Sequence, residues 1–249
     1  LTLLGEALAA VTLLVETLKI KGSVILQVRG TGPLGLLVVE ANLDQQVRGI
    51  ARQEGAVDDE MTLQQLFGSE YFVITIKPGK GEPHQGIATL TGRSLAESLE
   101  HYFDTSDQLA TRFWLACDKD NVSGLMLQKL PGNLSDGEAW NRVSMLADTL
   151  SMQELKLAAA DSLLYRLFHQ EEVRLFDARP IEFHCSCSRE RSASMLLTLG
   201  KPEVLDILEQ EGEVSVTCEF CNGHYRFDSI DIEQTFSESV AAQPSVSEH

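Results

Sequence analysis

Phe183-His-Cys-Ser-Cys-Ser-Arg-Glu-Arg191, taken with Cys218-Glu-Phe-Cys221-Asn-Gly-His-Tyr-Arg-Phe227, decides how the rest of the chain is read. Cys185, Cys187, Cys218 and Cys221 fall within 37 consecutive positions, as two close pairs with 30 residues between them. That is the spacing of a four-thiolate zinc site. Cys218-x-x-Cys221 runs into Asn222-Gly223, a tight turn that lets backbone amides point at thiolate sulfur. Cys185-x-Cys187 needs a local turn of its own. On an extended strand residues two apart point the same way, yet both sulfurs must converge on one ion. A disulfide between these two would close a very small ring, strained and easily reduced.

Spacing alone leaves several readings of the four thiols open: a closed structural zinc site, a zinc site that doubles as a thiol switch, secretory disulfides, or a catalytic dithiol. A thioredoxin-like motif sits at a strand-to-helix junction. Here Val214-Ser-Val-Thr217 leads into Cys218 and residues 222–227 continue as a strand, which makes a zinc-ribbon hairpin. The fifth cysteine, Cys117, ends the apolar run Arg112-Phe-Trp-Leu-Ala-Cys117 and reads as a buried small hydrophobe. His184 and His224 adjoin the pairs as spare ligands. Arg189 and Arg191 either offset the charge of a tetrathiolate or are solvated surface residues.

Working outward, the cysteine module is expected over residues 180–236, with helices at 189–199 and 202–209 and the ribbon strands at 214–217 and 224–227. Residues 237–249 are polar and read as a disordered tail. Before the module, 132–179 reads as a helical linker. Trp140, Val143, Leu146 and Leu150 form an apolar stripe, Ser151 caps a second short helix, and 160–170 make a third. Pro131-Gly-Asn-Leu-Ser-Asp-Gly137 is the expected domain boundary. Residues 1–131 alternate between patterns: a helix over 1–18, strands at 23–29, 35–40, 47–51, 71–76 and 86–90, a capping box Ser94-Leu-Ala-Glu97 opening a helix to Phe103, and strands at 112–117 and 122–130. The fold class is therefore α+β: a mostly antiparallel sheet domain with helices, a helical linker and a small zinc-binding module. Gly30-Thr-Gly32-Pro-Leu-Gly35 matches a dinucleotide fingerprint letter for letter, but Leu36-Leu-Val-Val39 after it demands a strand. Without a helix N-terminus it is a hairpin turn.

The 249 residues carry 20 Lys+Arg against 37 Asp+Glu, a net charge of −17. That balance argues against binding a phosphate backbone or an anionic membrane. Residues 1–20 come closest to a membrane span, but Glu6 and Glu16 interrupt them, and they lack the basic start and cleavage pattern of a signal peptide. The chain opens without Met inside a helical pattern, so a natural start upstream is expected. No nucleophile elbow, H-E-x-x-H or paired-carboxylate motif stands out, which lowers the expectation of an enzyme.

The two cysteine-bearing stretches, together with Tyr165-Arg-Leu-Phe-His-Gln-Glu-Glu172, Gln45-Gln-Val-Arg-Gly49 and Tyr71-Phe-Val-Ile-Thr75, closely resemble the family of bacterial redox-regulated heat-shock chaperones of 33 kDa. The likeness extends over nearly the whole chain, and the CxC–CxxC combination is specific. It implies an ATP-independent holdase of the bacterial cytoplasm whose partners are unfolding client proteins, with no role for nucleic acid or membrane. It further implies that Cys185, Cys187, Cys218 and Cys221 bind one zinc per chain while reduced and the chaperone is inactive. Oxidation then links Cys185–Cys187 and Cys218–Cys221 and expels zinc, the module and linker unfold, and the protein forms a homodimer. Trp140, Val143, Leu146 and Leu150 are the expected client surface, uncovered when the module melts. Family members carry a segment before the first helix of this chain, and Cys117 matches no family ligand. A zinc-ribbon adaptor with purely structural metal is the alternative, and a dithiol oxidoreductase a more distant one.

Overall fold

A helix that is apolar on every side needs cover on more than one side, and residues 2–15, interrupted only by Glu6, are of that kind. The computed structural model describes residues 2–18, 21–58, 60–130 and 138–241, with side chains as far as Ser237. It divides the chain into two units, Leu1–His184 and Cys185–His249. The first unit opens with α1 (Thr2–Val15), then β1 (Gly22–Arg29), β2 (Leu34–Asn42), β3 (Gln46–Gln53), α2 (Leu63–Phe67), β4 (Tyr71–Pro78), β5 (His84–Thr89) and α3 (Leu95–Tyr102). A hairpin of β6 (Thr111–Cys117) and β7 (Val122–Gln128) follows, then α4 (Ala139–Ala147), α5 (Met152–Leu157), α6 (Ala160–Phe168) and the two-residue β8 (Glu182–Phe183). The expected boundary at 131–137 lies outside the described residues.

Six strands form one sheet in the order β5-β4-β1-β2-β3-β8. It is antiparallel throughout except where β8 runs parallel to β3, pairing Gln46 with Glu182 and Val47 with Phe183. Val24, Leu26 and Val28 of β1 oppose Ala41, Val39 and Leu37 of β2, so one face of each strand is buried. Ala7, Ala10, Val11, Leu14 and Val15 of α1 share that core. The opposite side of α1 lies on the β6–β7 hairpin: a Cβ at Gly124 would sit 3.0 Å from Leu13 and 3.3 Å from Ala9. The segment that comes nearest to a membrane span is therefore a doubly covered core helix, and no helix among the described residues is long and apolar enough to cross a membrane.

The Gly30–Gly35 segment is a hairpin turn, closed by the Gly30 N–H on Gly35 O at 3.0 Å. Its glycines serve packing, because a Cβ at Gly30 would lie 1.9 Å from the Phe67 carbonyl. The Gly32 N–H bonds that same carbonyl at 2.8 Å. Phe67 ends α2, a helix too short to show a periodicity; Thr62 and Gln65 cap it reciprocally, and it stops at Gly68 with φ 59°. The expected capping box at Ser94 is only half made. Ser94 accepts from the Glu97 N–H, but the Glu97 carboxylate accepts from the Arg93 N–H instead of closing on Ser94.

β6 is buried on both faces, which is why it reads as a continuous apolar run. Phe113 and Leu115 belong to the main core, while Trp114 and Ala116 join a second cluster with Ala147, Leu150, Leu155, Leu163, Leu167 and Phe168. The linker helices thus lie on the outer face of the hairpin, within the first unit. Lys156 Nζ on Asp118 at 3.1 Å and Arg112 on Asp148 at 2.9 Å tie them down at the edges.

The second unit comprises α7 (Arg189–Leu199), α8 (Lys201–Glu211), β9 (Val214–Thr217), β10 (His224–Phe227) and α9 (Ser229–Ala241). The last helix corrects the sequence reading, which placed a disordered tail from 237; residues 237–241 are helical and 242–249 lie outside the described residues. The helix is anchored within the expected module, where Ile232 is buried with Leu196, Val204, Val214 and Phe227 in the core of this unit, and it runs on past 237.

Candidate metal centre

β9 and β10 pair antiparallel, Thr217 opposite His224 and Val216 opposite Tyr225, and the chain between them turns through the CxxC pair. The Cys218 N–H donates to Gly223 O at 2.9 Å and the Asn222 N–H to Cys218 O at 2.8 Å. Asn222 takes the left-handed conformation, φ 55°, which Asn tolerates better than most residues. Gly223 is needed for room: a Cβ there would stand 3.3 Å from Cys221 Sγ and 3.9 Å from Cys187 Sγ. Cys185-Ser-Cys187 lies in residues 184–188, which are neither helix, strand nor turn and lead directly into α7. Ser188 caps that helix, accepting from the Arg191 N–H at 3.2 Å.

The four sulfurs converge, all within 4.8 Å of one another. Cys185 Sγ is 3.6 Å from Cys218 Sγ and Cys187 Sγ is 3.3 Å from Cys221 Sγ, two contacts that join the CxC pair to the CxxC pair. All four are free thiols in this structure. A tetrahedral ion with metal–sulfur bonds of about 2.3 Å separates its ligands by about 3.8 Å. The observed spacing fits one such ion, and four soft thiolates are a donor set suited to it. The structure thus brings together the four cysteines singled out from sequence. Neither His184 nor His224 joins the group; His224 Nδ1 instead meets Thr217 Oγ1 at 2.9 Å.

The electrostatics are those of crowded thiols. A hydrogen bond from the Tyr225 hydroxyl, 3.1 Å from the sulfur, holds the Cys187 thiol below its ordinary range, helped by Cys221 and Cys185. At Cys221 the Gly223 N–H acts to lower the pKa, but Cys187, burial, Cys185 and Cys218 outweigh it and push the thiol up to about 12. Tyr225 is pushed up to about 12 as well, first by its bond to Cys187, then by burial and by the charge of the cysteines. Arg189, read from sequence as either a counter-charge or a solvated surface residue, bonds Arg226 O at 2.6 Å and Asp231 at 2.6 Å and stacks 4.5 Å above the Phe227 ring. Arg191 reaches Ser186 Oγ at 2.6 Å. Tyr225 was missed from sequence; the only signal was its two-residue offset from Gly223 on a strand, which puts it on the same side of the ribbon.

The apolar stripe is partly assembled. Val143, Leu146 and Leu150 pack in the cluster on the β6–β7 hairpin, Leu150 almost fully buried. Trp140 stands apart from that cluster, half-buried beside His101, Glu97 and Arg112. The cover of the stripe is therefore Trp114, Ala116, Leu125 and Leu127 of the hairpin. Cys117 lies in the first unit against Gly5, where a Cβ would stand 2.3 Å from its sulfur; burial, Glu6 and Asp118 raise its pKa.

With this geometry in hand, the likeness to known proteins is specific. The sequence model of the Hsp33 protein family matches residues 1–228. The 33 kDa chaperonin of Aliivibrio salmonicida is 44% identical over 248 residues, covering 98% of this chain and 85% of its own length. That of Ectopseudomonas mendocina is 47% identical over 254 residues, covering 99% and 86%. The crystal structure of the 33 kDa chaperonin (heat shock protein 33 homolog) of Thermotoga maritima superposes with a TM-score of 0.78 at 25% identity, over 96% of this chain and 86% of that one. An antiparallel sheet domain, a terminal cluster of four cysteines and a family match that spans both units lead to one conclusion: the chain belongs to the Hsp33 family of chaperones.

Proposed function

We propose that this protein is an ATP-independent holdase switched by oxidation of Cys185, Cys187, Cys218 and Cys221, which hold one zinc ion per chain while reduced. The observation that carries this reading is the convergence of four thiol sulfurs within 4.8 Å in a member of a chaperone family. Bound zinc supplies cohesion: structural sites contribute on the order of 10–16 kcal/mol, more than the whole net stability of many domains, about 5–15 kcal/mol. The second unit needs it, because its buried apolar core among the described residues is small: Leu196, Val204, Val214, Phe227 and Ile232. Conversion of the thiolates to the disulfides Cys185–Cys187 and Cys218–Cys221 removes the ligand charge, and the unit melts.

Melting from Cys185 pulls on weak anchors. The last ones in the first unit are the Glu182 N–H on Gln45 O at 2.9 Å and the His184 N–H on Val47 O at 3.0 Å, beside an exposed Arg179–Glu16 ion pair. Residues 171–181, which precede them, hold no helix or strand. Release of α4–α6 from β6–β7 then uncovers both halves of one apolar interface, Val143, Leu146 and Leu150 with Trp140 at its border on one side and Trp114, Ala116, Leu125 and Leu127 on the other. Such a surface takes up unfolding clients through non-directional hydrophobic contact, without nucleotide. Dimerisation of the oxidised form covers part of the same surface. The protein works in the reducing bacterial cytoplasm, where thiols stay free until oxidant arrives, and it is not an enzyme. The test is a comparison of reduced, zinc-loaded protein with oxidised protein, each added without ATP to a thermally unfolding client. Only the oxidised form suppresses light scattering, and reductant with zinc returns it to inactivity; equal suppression by both forms, or by neither, overturns the proposal.

A further inference from the structure

A side-chain hydroxyl, that of Tyr225, reaches the sulfur of Cys187. Tyr225 is held on β10 by its pairing with Val216 and packs against the core of the second unit. Its hydroxyl donates to Cys187 Sγ at 3.1 Å. Gly223 borders the contact: a Cβ there would lie in ordinary contact with the Tyr225 hydroxyl at 3.8 Å and Cys187 Sγ at 3.9 Å, and would crowd Cys221 Sγ at 3.3 Å.

We propose that Tyr225 sets the oxidant threshold of the switch, its hydroxyl occupying a lone pair of the Cys187 sulfur and slowing attack of that sulfur on a hydroperoxide. This rests on the reading of the four cysteines as an oxidisable zinc site. In the step concerned, a sulfur lone pair of the thiolate attacks one peroxide oxygen. The S–O bond forms, the O–O bond breaks, and hydroxide leaves with the electron pair. Sulfur is oxidised by two electrons to the sulfenic acid and the peroxide is reduced. A second thiol then displaces the hydroxyl, forming S–S and releasing water. A hydrogen bond to the attacking lone pair withdraws the electrons that the first step requires. Partners outside the ligand set tune metal-bound ligands in the same way. Tyr225 is a positioning and tuning residue in this scheme and undergoes no reaction itself.

The experiment uses the full zinc-loaded chain and hydrogen peroxide. Free thiol at each cysteine is followed by alkylation and peptide mass spectrometry, and zinc is followed with a chelating dye. Nucleophilicity tracks about half of a change in basicity on a logarithmic scale. Loss of a donor that lowers basicity about ten- to hundredfold in Y225F should therefore speed Cys187 oxidation about three- to tenfold. Cys187 gains relative to Cys185, and zinc release quickens with it. A purely structural role would lower Tm and speed all four cysteines alike. As a second arm, replacement of tyrosine by 3-fluorotyrosine strengthens the donor at nearly constant shape and should slow Cys187 oxidation. Equal Cys187 rates in all three proteins, with normal zinc release from the unmodified one, overturn the role of Tyr225 alone. An unmodified protein that binds no zinc, or keeps it under peroxide, overturns the underlying zinc-switch reading as well.

Discussion

Replacing Leu150 by Ala should turn the chaperone on without oxidant. Leu150 is 6% exposed and packs with Trp114, Ala116, Ala147, Leu155, Leu163, Leu167 and Phe168, the cluster that fastens the linker helices to the β6–β7 hairpin. Truncating a buried Leu to Ala costs about 2–5 kcal/mol. At about 3 kcal/mol the lifted state gains a factor of about 160, since each 1.36 kcal/mol is tenfold. A minor state populated at about 0.5% would rise to nearly half. The edge ion pairs Lys156–Asp118 and Arg112–Asp148 are exposed and offset little of this, about 0–1 kcal/mol each. The assay follows three readouts with reductant present: light scattering of a thermally unfolding client, zinc retention, and hydrogen exchange over residues 139–168. L150A should hold client with its zinc still bound, while L157A, at a position 69% exposed on α5, should behave as the unmodified protein. If exchange shows α4–α6 opened in L150A and the client aggregates as before, release of these helices is not what makes the chaperone active.

Among the described residues the Ser144 hydroxyl, buried on α4, has no hydrogen-bond partner, so S144A should stabilise the linker by about 1 kcal/mol; the expected readout is slower exchange in α4 and slower activation by peroxide. Ile232 is fully buried in the second unit, so I232A should cost that unit about 2–5 kcal/mol and lower the temperature at which a chelating dye captures zinc. A strong chelator added to reduced protein should collapse the dispersed NMR signals of residues 189–236 and leave those of the first unit in place; dispersed signals throughout would mean that the fold does not depend on the ion. Asp118 is held at about 2 by hydrogen bonds from the Asp120 N–H, Lys156 and the Asn121 N–H. Its folded pKa lies below the unfolded value, so its stabilising effect is complete at neutral pH and is lost as pH falls from about 4 through 2. D118N should flatten the pH dependence of stability in that window, measured as thermal midpoint against pH.

The convergence of the four cysteines was legible because residue type and spacing carry it: CxC, CxxC and the Asn222-Gly223 turn are the pattern of a four-thiolate site, though spacing alone left the use of the thiols open. The strands were legible for a similar reason, since alternation survives in β1 and β4 while β2 and β6 carry continuous apolar runs. The elements that were lost are those in which a partner far along the chain decides the structure. α2 is five residues long and exists because the Gly30–Gly35 hairpin receives its carboxyl end. β8 is a strand of two residues whose partner, β3, lies some 135 positions earlier. α9 begins inside the expected module, but no helix was read there, because its burial rests on Ile232 completing a core assembled from α7, α8 and the ribbon. Arg189 carries the same lesson for charge: beside a cysteine pair it suggested a counter-ion, whereas Asp231, Arg226 and Phe227 were all placed to receive it. The cover of Leu146 and Leu150 was likewise not readable, because Trp114 and Ala116 alternate with core residues on a strand that is apolar on both faces.

The central claim is that loss of the ion and gain of holding activity are one event. Reduced, zinc-loaded protein is mixed with peroxide at heat-shock temperature, in the presence of a chelating dye and a thermally unfolding client, and dye absorbance and light scattering are recorded together. About one zinc per chain should appear as aggregation is suppressed, and reductant with zinc should reverse both. Zinc leaving while the protein precipitates and the client aggregates unprotected would contradict it, and would leave the four cysteines as a structural site alone.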